Sequence, residues 1–271
     1  MGLRRKLVVM YSPPMEQATE HNQRILDQFT RQAEPFALAP SHSTEESIRV
    51  LLDAAAVAPT DVALDVACGP GIVSCALAGV AQHVIGVDIV PAMLEQARKL
   101  QDEKNLENVT WKNGDASQLP FGDEAFSLVV TRYSFHHLLN PGSALREMAR
   151  VCRHGGRVAV ADVTPEAAKR RAYDEMETLR DPSHTRALTL EELKTLGAEQ
   201  GLRLLNVADY RLDTGLETLL ASSFPPDGNT DKIRAMVRDD IGVNALSINA
   251  YRQDGAVHFT FPISVVVWQK P

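Results

Sequence analysis

Leu64-Asp65-Val66-Ala67-Cys68-Gly69-Pro70-Gly71 is an apolar run with one acid inside it, closed by two glycines. The run suits a buried parallel strand, and the glycines let the backbone turn sharply and bring a ligand close to the main chain. A dinucleotide fingerprint carries a third glycine three residues after Gly71, where this chain has Ser74. Nor does that fingerprint need an acid in its first strand, yet Asp65 stands four residues before Gly69. A ligandless tight turn is the plainer reading of two glycines at a strand–helix junction.

Short runs rich in Val, Leu and Ile at 62–67, 84–88, 109–112, 127–133 and 157–163 read as strands. Helical stretches at 71–80, 91–104 and 142–152 separate them. The last carries Ala144, Leu145, Met148, Ala149 and Val151 on one face and is stopped by His154-Gly155-Gly156. This β-α-β-α order predicts an α/β fold, an open parallel sheet with helices on both faces.

Upstream, residues 16–33 read as a polar helix with Ile25, Leu26 and Phe29, and 34–43, with Pro35 and Pro40, as an extended loop. Ser43-Thr44-Glu45-Glu46 opens a second helix that ends near Pro59. Downstream, 165–180 is helix-rich, 189–200 is a capped helix, 202–210 a strand and 215–251 a polar helical stretch. A long final strand covers 257–268, where Pro262 favours an edge or a bulge.

Of 271 residues, 44% are apolar and 23% charged, an ordinary composition for a globular chain. The formal charge of -7 argues against nucleic acid as a partner. No apolar run approaches the roughly 20 residues that span a bilayer. The basic stretch at 1–10 is too short in its apolar part for a signal peptide and reads as part of a flexible leader over 1–14. Three cysteines, Cys68, Cys75 and Cys152, suggest neither a disulfide framework nor a zinc site, so a cytoplasmic setting is expected.

Two more acids close later strands. Asp88 ends Ile85-Gly86-Val87-Asp88-Ile89, 23 residues after Asp65, where an acid can accept both hydroxyls of a ribose; a surface turn acid is the alternative. Pro91-Ala92-Met93-Leu94 then starts a helix, and Met93 is open to facing a ligand or the core. Asn113-Gly114-Asp115-Ala116 follows the third strand, where an Asx turn is the plainer reading of Asp115.

Together with Leu145-Arg146-Glu147-Met148-Ala149-Arg150-Val151-Cys152-Arg153 before Gly155-Gly156, these motifs resemble the class I S-adenosylmethionine (SAM) methyltransferases over residues 60 to 165. The likeness is to their UbiE/Coq5-like and small-molecule natural-product branches. It implies a Rossmann-like sheet of seven mostly parallel strands with an antiparallel last strand, as one domain over 15–271. Within it, 15–60 is expected to form a helical lid, 61–164 the SAM-binding half and 165–271 the acceptor side. SAM carries an ammonium and a sulfonium and no pyrophosphate, which gives Asp65 a partner. The cofactor residues so implied are Asp65, Ala67, Gly69, Gly71, Asp88, Ile89, Met93, Gly114, Asp115, Ala116 and Arg132. Asp115 and Ala116 would hold adenine, and Arg132 is open to pairing the methionine carboxylate or to lying on the surface.

The edge after the fourth strand reads Thr131-Arg132-Tyr133-Ser134-Phe135-His136-His137-Leu138. Quinone C-methyltransferases of the resembling branch carry an Arg-Asn pair there, and this chain departs from that pattern. A neutral imidazole is a fitting base for a hydroxyl acceptor. His137 and His136 are the candidates, with Asp162, 25 residues after His137, placed to orient one of them. Packing without proton transfer is the other role open to them. The expected reaction is methyl transfer to a small-molecule hydroxyl of a phenolic, sugar or polyketide-like kind. C-methylation of a quinone-precursor-like ring, or a SAM-retaining protein with another activity such as cyclisation, are the alternatives. No acid cluster for magnesium is evident, so no metal is expected. Oligomeric state is not readable; the long last strand is open to being core or a homodimer edge.

Overall fold

The structure is a computed structural model that describes residues 15–38 and 45–271. The expected leader over 1–14, and Ser43 and Thr44 as openers of the second helix, lie outside the described residues.

The strands are β1 (Val62–Val66), β2 (His83–Asp88), β3 (Val109–Asn113), β4 (Phe126–Arg132), β5 (Cys152–Val163), β6 (Arg203–Gly215), β7 (Tyr251–Gln253) and β8 (Ala256–Gln269). They form one sheet in the order β3-β2-β1-β4-β5-β8-β6, with β7 paired to β8. β1 to β5 pair in parallel, and β8 runs antiparallel between β5 and β6. The helices are α1 (Met15–Leu38), α2 (Glu45–Ala54), α3 (Ile72–Ala78), α4 (Pro91–Glu103), α5 (Pro141–Val151), α6 (Arg170–Arg180), α7 (Leu190–Glu199), α8 (Leu216–Ser223) and α9 (Thr230–Asp239).

Strand alternation sorts the core onto two faces. Leu64, Val66, Val129, Val158, Val160, Val266 and Trp268 face Leu145 and Met148 of α5 and Leu193 of α7. Ala63, Leu128, Val130, Ala159, Ala161, Val265 and Val267 face Leu51 of α2 and Val73 and Leu77 of α3. Each large aliphatic side chain so buried contributes about 1.5–3 kcal/mol. A third cluster packs Tyr173 and Met176 of α6, Leu216 and Leu220 of α8 and Ile233 and Val237 of α9 onto Phe259 and Ile263 of β8.

Several expectations need correction. The described residues hold eight strands, where seven were expected, because β7 starts at Tyr251, the last residue of the stretch read as helical, and runs into residues given no element. Asp254 and Gly255, both at positive φ, join β7 to β8 in a two-residue hairpin turn. α1 does not end at residue 33 but runs through Pro35 to Leu38. Ala33 and Phe36 pack with Val90 and Met93 there, and this contact outweighs the hydrogen bond that proline forfeits. α5 stops at Val151, ahead of the two glycines, and β5 begins at once with Cys152. Pro262 falls one residue past the last β5 pair, Val163 with Ile263, so its missing N–H faces no strand on that side. The edge reading of Pro262 thus holds locally, in a strand whose residues 263–269 have β5 on one side and β6 on the other.

Strand order reverses between β1 and β4, and a crevice opens beyond the carboxyl ends at such a switch point. Thr131 pins it: its Oγ1 donates to Val66 O at 2.7 Å and lies 2.6 Å from Ser134 Oγ. No helix among the described residues is long and apolar enough to cross a membrane.

Candidate functional site

The crevice is a cleft of roughly 970 Å³, open mouth included. Asp65, Ala67, Gly69, Asp88, Ile89, Met93, Gly114, Asp115, Ala116 and Arg132 line it. Gly71 does not. It sits behind the turn at φ 80, where a Cβ would lie 2.6 Å from the Trp111 ring. Met93 both lines the cleft and packs against α1, so the two roles open to it coincide.

The carboxylates are held differently. Asp65 is 1% exposed, and one of its oxygens accepts from Ser74 Oγ at 2.6 Å. The Ser74 backbone N–H also faces this carboxylate. Burial pushes this carboxyl up to about 7, against the opposing pull of Ser74 and Arg132. Asp88 accepts from the backbone N–H of Gly69 and of Val90, each at 2.8 Å, and burial raises it to about 6. Asp115 does make the Asx turn, accepting from Ser117 N at 2.7 Å, and also accepts from Asn22 Nδ2 of α1 at 3.2 Å. Arg132 is buried, not on the surface, with its guanidinium 4.7 Å from the Tyr133 ring centre.

These residues fit SAM. The buried Asp65 carboxylate, lining a glycine-walled cleft, suits an ammonium group. Each Asp88 oxygen keeps a lone pair for a ribose hydroxyl. Open space stands where Gly69 would carry a Cβ, so a ligand can lie against the main chain.

A second chamber of roughly 690 Å³ adjoins the cleft, and Phe29, Phe36, Tyr133 and His137 line both. His136 lines only the second. A short 3-10 turn at Phe135–His137 carries both histidines past the end of β4. Its N-terminus is fixed by Asp162, whose Oδ2 accepts from Phe135 N at 2.7 Å. Asp162 Oδ1 lies 2.5 Å from His136 Nδ1. Burial pulls the His136 imidazole down, but Asp162 outweighs it and the net shift is upward. His137 is pushed well below the usual histidine range by burial and by the neighbouring His136. Its Nδ1 lies 3.0 Å from Ser183 Oγ, which donates to Asp181 Oδ1 at 2.6 Å. The Ser183 proton is thereby committed, so His137 carries its hydrogen on Nδ1. The structure therefore brings Asp162 to His136 and leaves His137 on a separate Ser183–Asp181 chain.

Sequence reading missed what α1 and α6 bring. His21 Nε2 donates to His137 O at 2.6 Å, and Gln28 and Gln32 donate to Ser223 O at 2.7 and 3.0 Å. Polar residues on a polar-looking helix give no signal of such long-range bonds. Glu177 and Arg180 form a buried pair at 2.5 Å in the second chamber, and their spacing of three on α6 was the signal available. No group of three or more His, Cys, Asp or Glu among the described residues could hold a metal ion. Cys68, Cys75 and Cys152 are free.

Residues 64–160 match the family model of the methyltransferase domain. The chain is 30% identical over 186 residues to the uncharacterized methyltransferase YcgJ of Bacillus subtilis, covering 68% of this chain and 74% of that one. It is 36% identical over 161 residues to the uncharacterized protein YafE of Escherichia coli, covering 58% of this chain and 78% of that one. The crystal structure of YcgJ superposes with a TM-score of 0.76 at 25% identity over 83% of this chain and 98% of that one. The three strand-end acids, the glycine turn and these likenesses agree, and the chain belongs to the class I SAM-dependent methyltransferases.

Proposed function

We propose that this enzyme methylates a hydroxyl of a small, largely apolar acceptor held in the second chamber, with His136 as general base and Asp162 orienting it. The observation that carries this reading is the contact of 2.5 Å between Asp162 Oδ1 and His136 Nδ1. A carboxylate accepts, so the Nδ1 hydrogen belongs to this bond and Nε2 keeps its lone pair. No protein donor among the described residues uses that lone pair. Asp162 then stabilises the imidazolium formed when Nε2 takes the hydroxyl proton.

SAM, when bound, supplies a methyl group on a sulfonium. On this reading Asp65 holds the ammonium, Asp88 the ribose hydroxyls, and Asp115 with Ala116 the adenine. Arg132 is assigned to the methionine carboxylate. Phe29, Phe36, Tyr133, Leu212, Phe261 and Ile263 give the second chamber apolar walls, which favour a phenolic or polyketide-like body over a sugar. α1 crosses both chambers and is proposed as a lid that excludes water.

The test incubates the protein with labelled SAM and a panel of phenols, sugars and quinone precursors, and locates the methyl by NMR. An O-methyl product lost in His136→Ala supports the reading. A C-methyl product, or full turnover in His136→Ala, overturns it.

A further inference from the structure

The polar end of the second chamber shows more donors than the protein can satisfy. Arg180 donates from Nε to both Glu177 oxygens at 3.0 and 3.2 Å, from Nη2 to Glu177 Oε2 at 2.5 Å and from Nη1 to Ser223 Oγ at 3.1 Å. A guanidinium has five N–H groups, so one on each terminal nitrogen is left without an acceptor among the described residues. Tyr173, 1% exposed, lines the same chamber, and its hydroxyl has no partner among the described residues. A buried donor without an acceptor costs about 1–3 kcal/mol. These three groups therefore ask for an oxygen that the protein does not provide.

The charges decide what kind of oxygen. Glu177 already neutralises Arg180, and burial of the Glu177 carboxyl is outweighed by Arg180 so that it stays ionised. Asp181 also lines the chamber, and Asp162 stands behind His136. A carboxylate entering here would meet these carboxylates while Arg180, the one guanidinium or ammonium lining the chamber among the described residues, is already paired. A carbonyl oxygen would accept from the free N–H and O–H groups without adding charge.

Resting on the reading of His136 as base, we infer that the acceptor is an uncharged hydroxy-carbonyl compound: its hydroxyl meets His136 and a carbonyl on the same ring system is read by Arg180 and Tyr173. The chamber then offers one lone pair to a donating hydroxyl and several hydrogens to an accepting oxygen, on an apolar frame. In this scheme Arg180 and Tyr173 are specificity residues that recognise the acceptor and take no part in proton transfer.

The test is equilibrium binding to the protein saturated with S-adenosylhomocysteine, so that it does not depend on methyl transfer. The probes are the three hydroxyacetophenone isomers, the matching ethylphenols and the matching hydroxybenzoates. At the best of the three ring positions the ketone should bind at least about tenfold tighter than the ethylphenol and the benzoate, the size of one buried hydrogen bond. Tyr173→Phe should bring the ketone-to-ethylphenol ratio down several-fold. Arg180→Met alone would strand Glu177, so Glu177→Met/Arg180→Met replaces the whole pair and should collapse the ratio towards one. S-adenosylhomocysteine affinity measured in parallel reports whether each variant is folded. Equal binding of ketone and ethylphenol, tightest binding of the benzoate, or no binding by any probe would overturn the inference. Failure of the base reading looks different: the ketone preference persists, but no methyl reaches oxygen.

Discussion

Asp162 holds the turn that carries the histidines at two points: Oδ1 lies 2.5 Å from His136 Nδ1 while Oδ2 accepts from Phe135 N at 2.7 Å. One carboxylate at the end of β5 thus fixes the backbone and the imidazole together. Because Asp162 raises His136 despite burial, the acid limb of the kcat/KM profile should have its midpoint above the ordinary value near 6.5. Turnover rises with pH through that midpoint, as the imidazole loses its proton. His136→Ala should lower kcat by about 10²–10⁴. Asp162→Asn should lower kcat and move the limb to lower pH. A limb that stays in place in Asp162→Asn sinks the assignment of His136 as the titrating group.

Asp65 should trade stability for binding. Its carboxyl is raised to about 7 by burial, so the ionisation cost is absent below the unfolded value near 3.9 and fully present above about 7. Ligand-free protein should therefore lose stability as pH climbs between those values. Asp65→Asn should raise the Tm of the ligand-free form at about pH 8, by a few degrees for a gain of order 1–2 kcal/mol. The same variant should weaken SAM by at least about tenfold, the loss of a buried charged hydrogen bond. Wild-type calorimetry in buffers of different ionisation enthalpy should detect proton release on SAM binding near pH 6, and less of it in Asp65→Asn. Unaltered SAM affinity in the variant would remove the ammonium from Asp65.

The three acids were legible because each lies at or near the carboxyl end of a strand, and strand ends are written in the sequence as apolar runs that stop. Parallel pairing of β1, β2 and β3 then brings Asp65, Asp88 and Asp115 to one edge. Asp162 was legible for the same reason, since β4 and β5 are neighbours in this fold. Which histidine it would reach was not, because His136 and His137 read alike and stand side by side on a short 3-10 turn, their ring centres 4.2 Å apart. β7 escaped notice although Asp254-Gly255 is a strong hairpin signal, because a three-residue strand carries too little periodicity to see. The bonds from α1 to Ser223 span 195 and 191 residues and leave no local trace.

Those bonds make α1 testable as a lid. It is tied at Asp115 by Asn22, at His137 by His21 and at Ser223 by Gln28 and Gln32. Deleting residues 1–40 should weaken SAM by at least about tenfold, since Met93 and Val90 lose their apolar cover and the cleft its roof. Gln28→Ala/Gln32→Ala frees only the acceptor-side tie, and should raise the acceptor KM several-fold with SAM affinity nearly unchanged. Equal SAM affinity in the truncated and full-length proteins would reduce α1 to packing.

Gly69 and Gly71 lie two residues apart at positive φ, 54 and 80, yet substituting them should damage different properties. Alanine at either position pays about 1–2 kcal/mol for the left-handed backbone. At Gly71 the new Cβ also meets Trp111 at 2.6 Å and the Ala97 Cβ at 2.9 Å, in packed core where overfilling costs a further 1–3 kcal/mol or so. At Gly69 nothing lies within 4 Å, because that direction opens on the cleft. Gly71→Ala should therefore lower the denaturant midpoint clearly more than Gly69→Ala. Gly69→Ala should instead lose only the backbone penalty in stability and weaken SAM, since its methyl fills space the cofactor needs. Urea titration with and without SAM separates the two. If Gly69→Ala binds SAM normally, the cofactor does not lie against this turn.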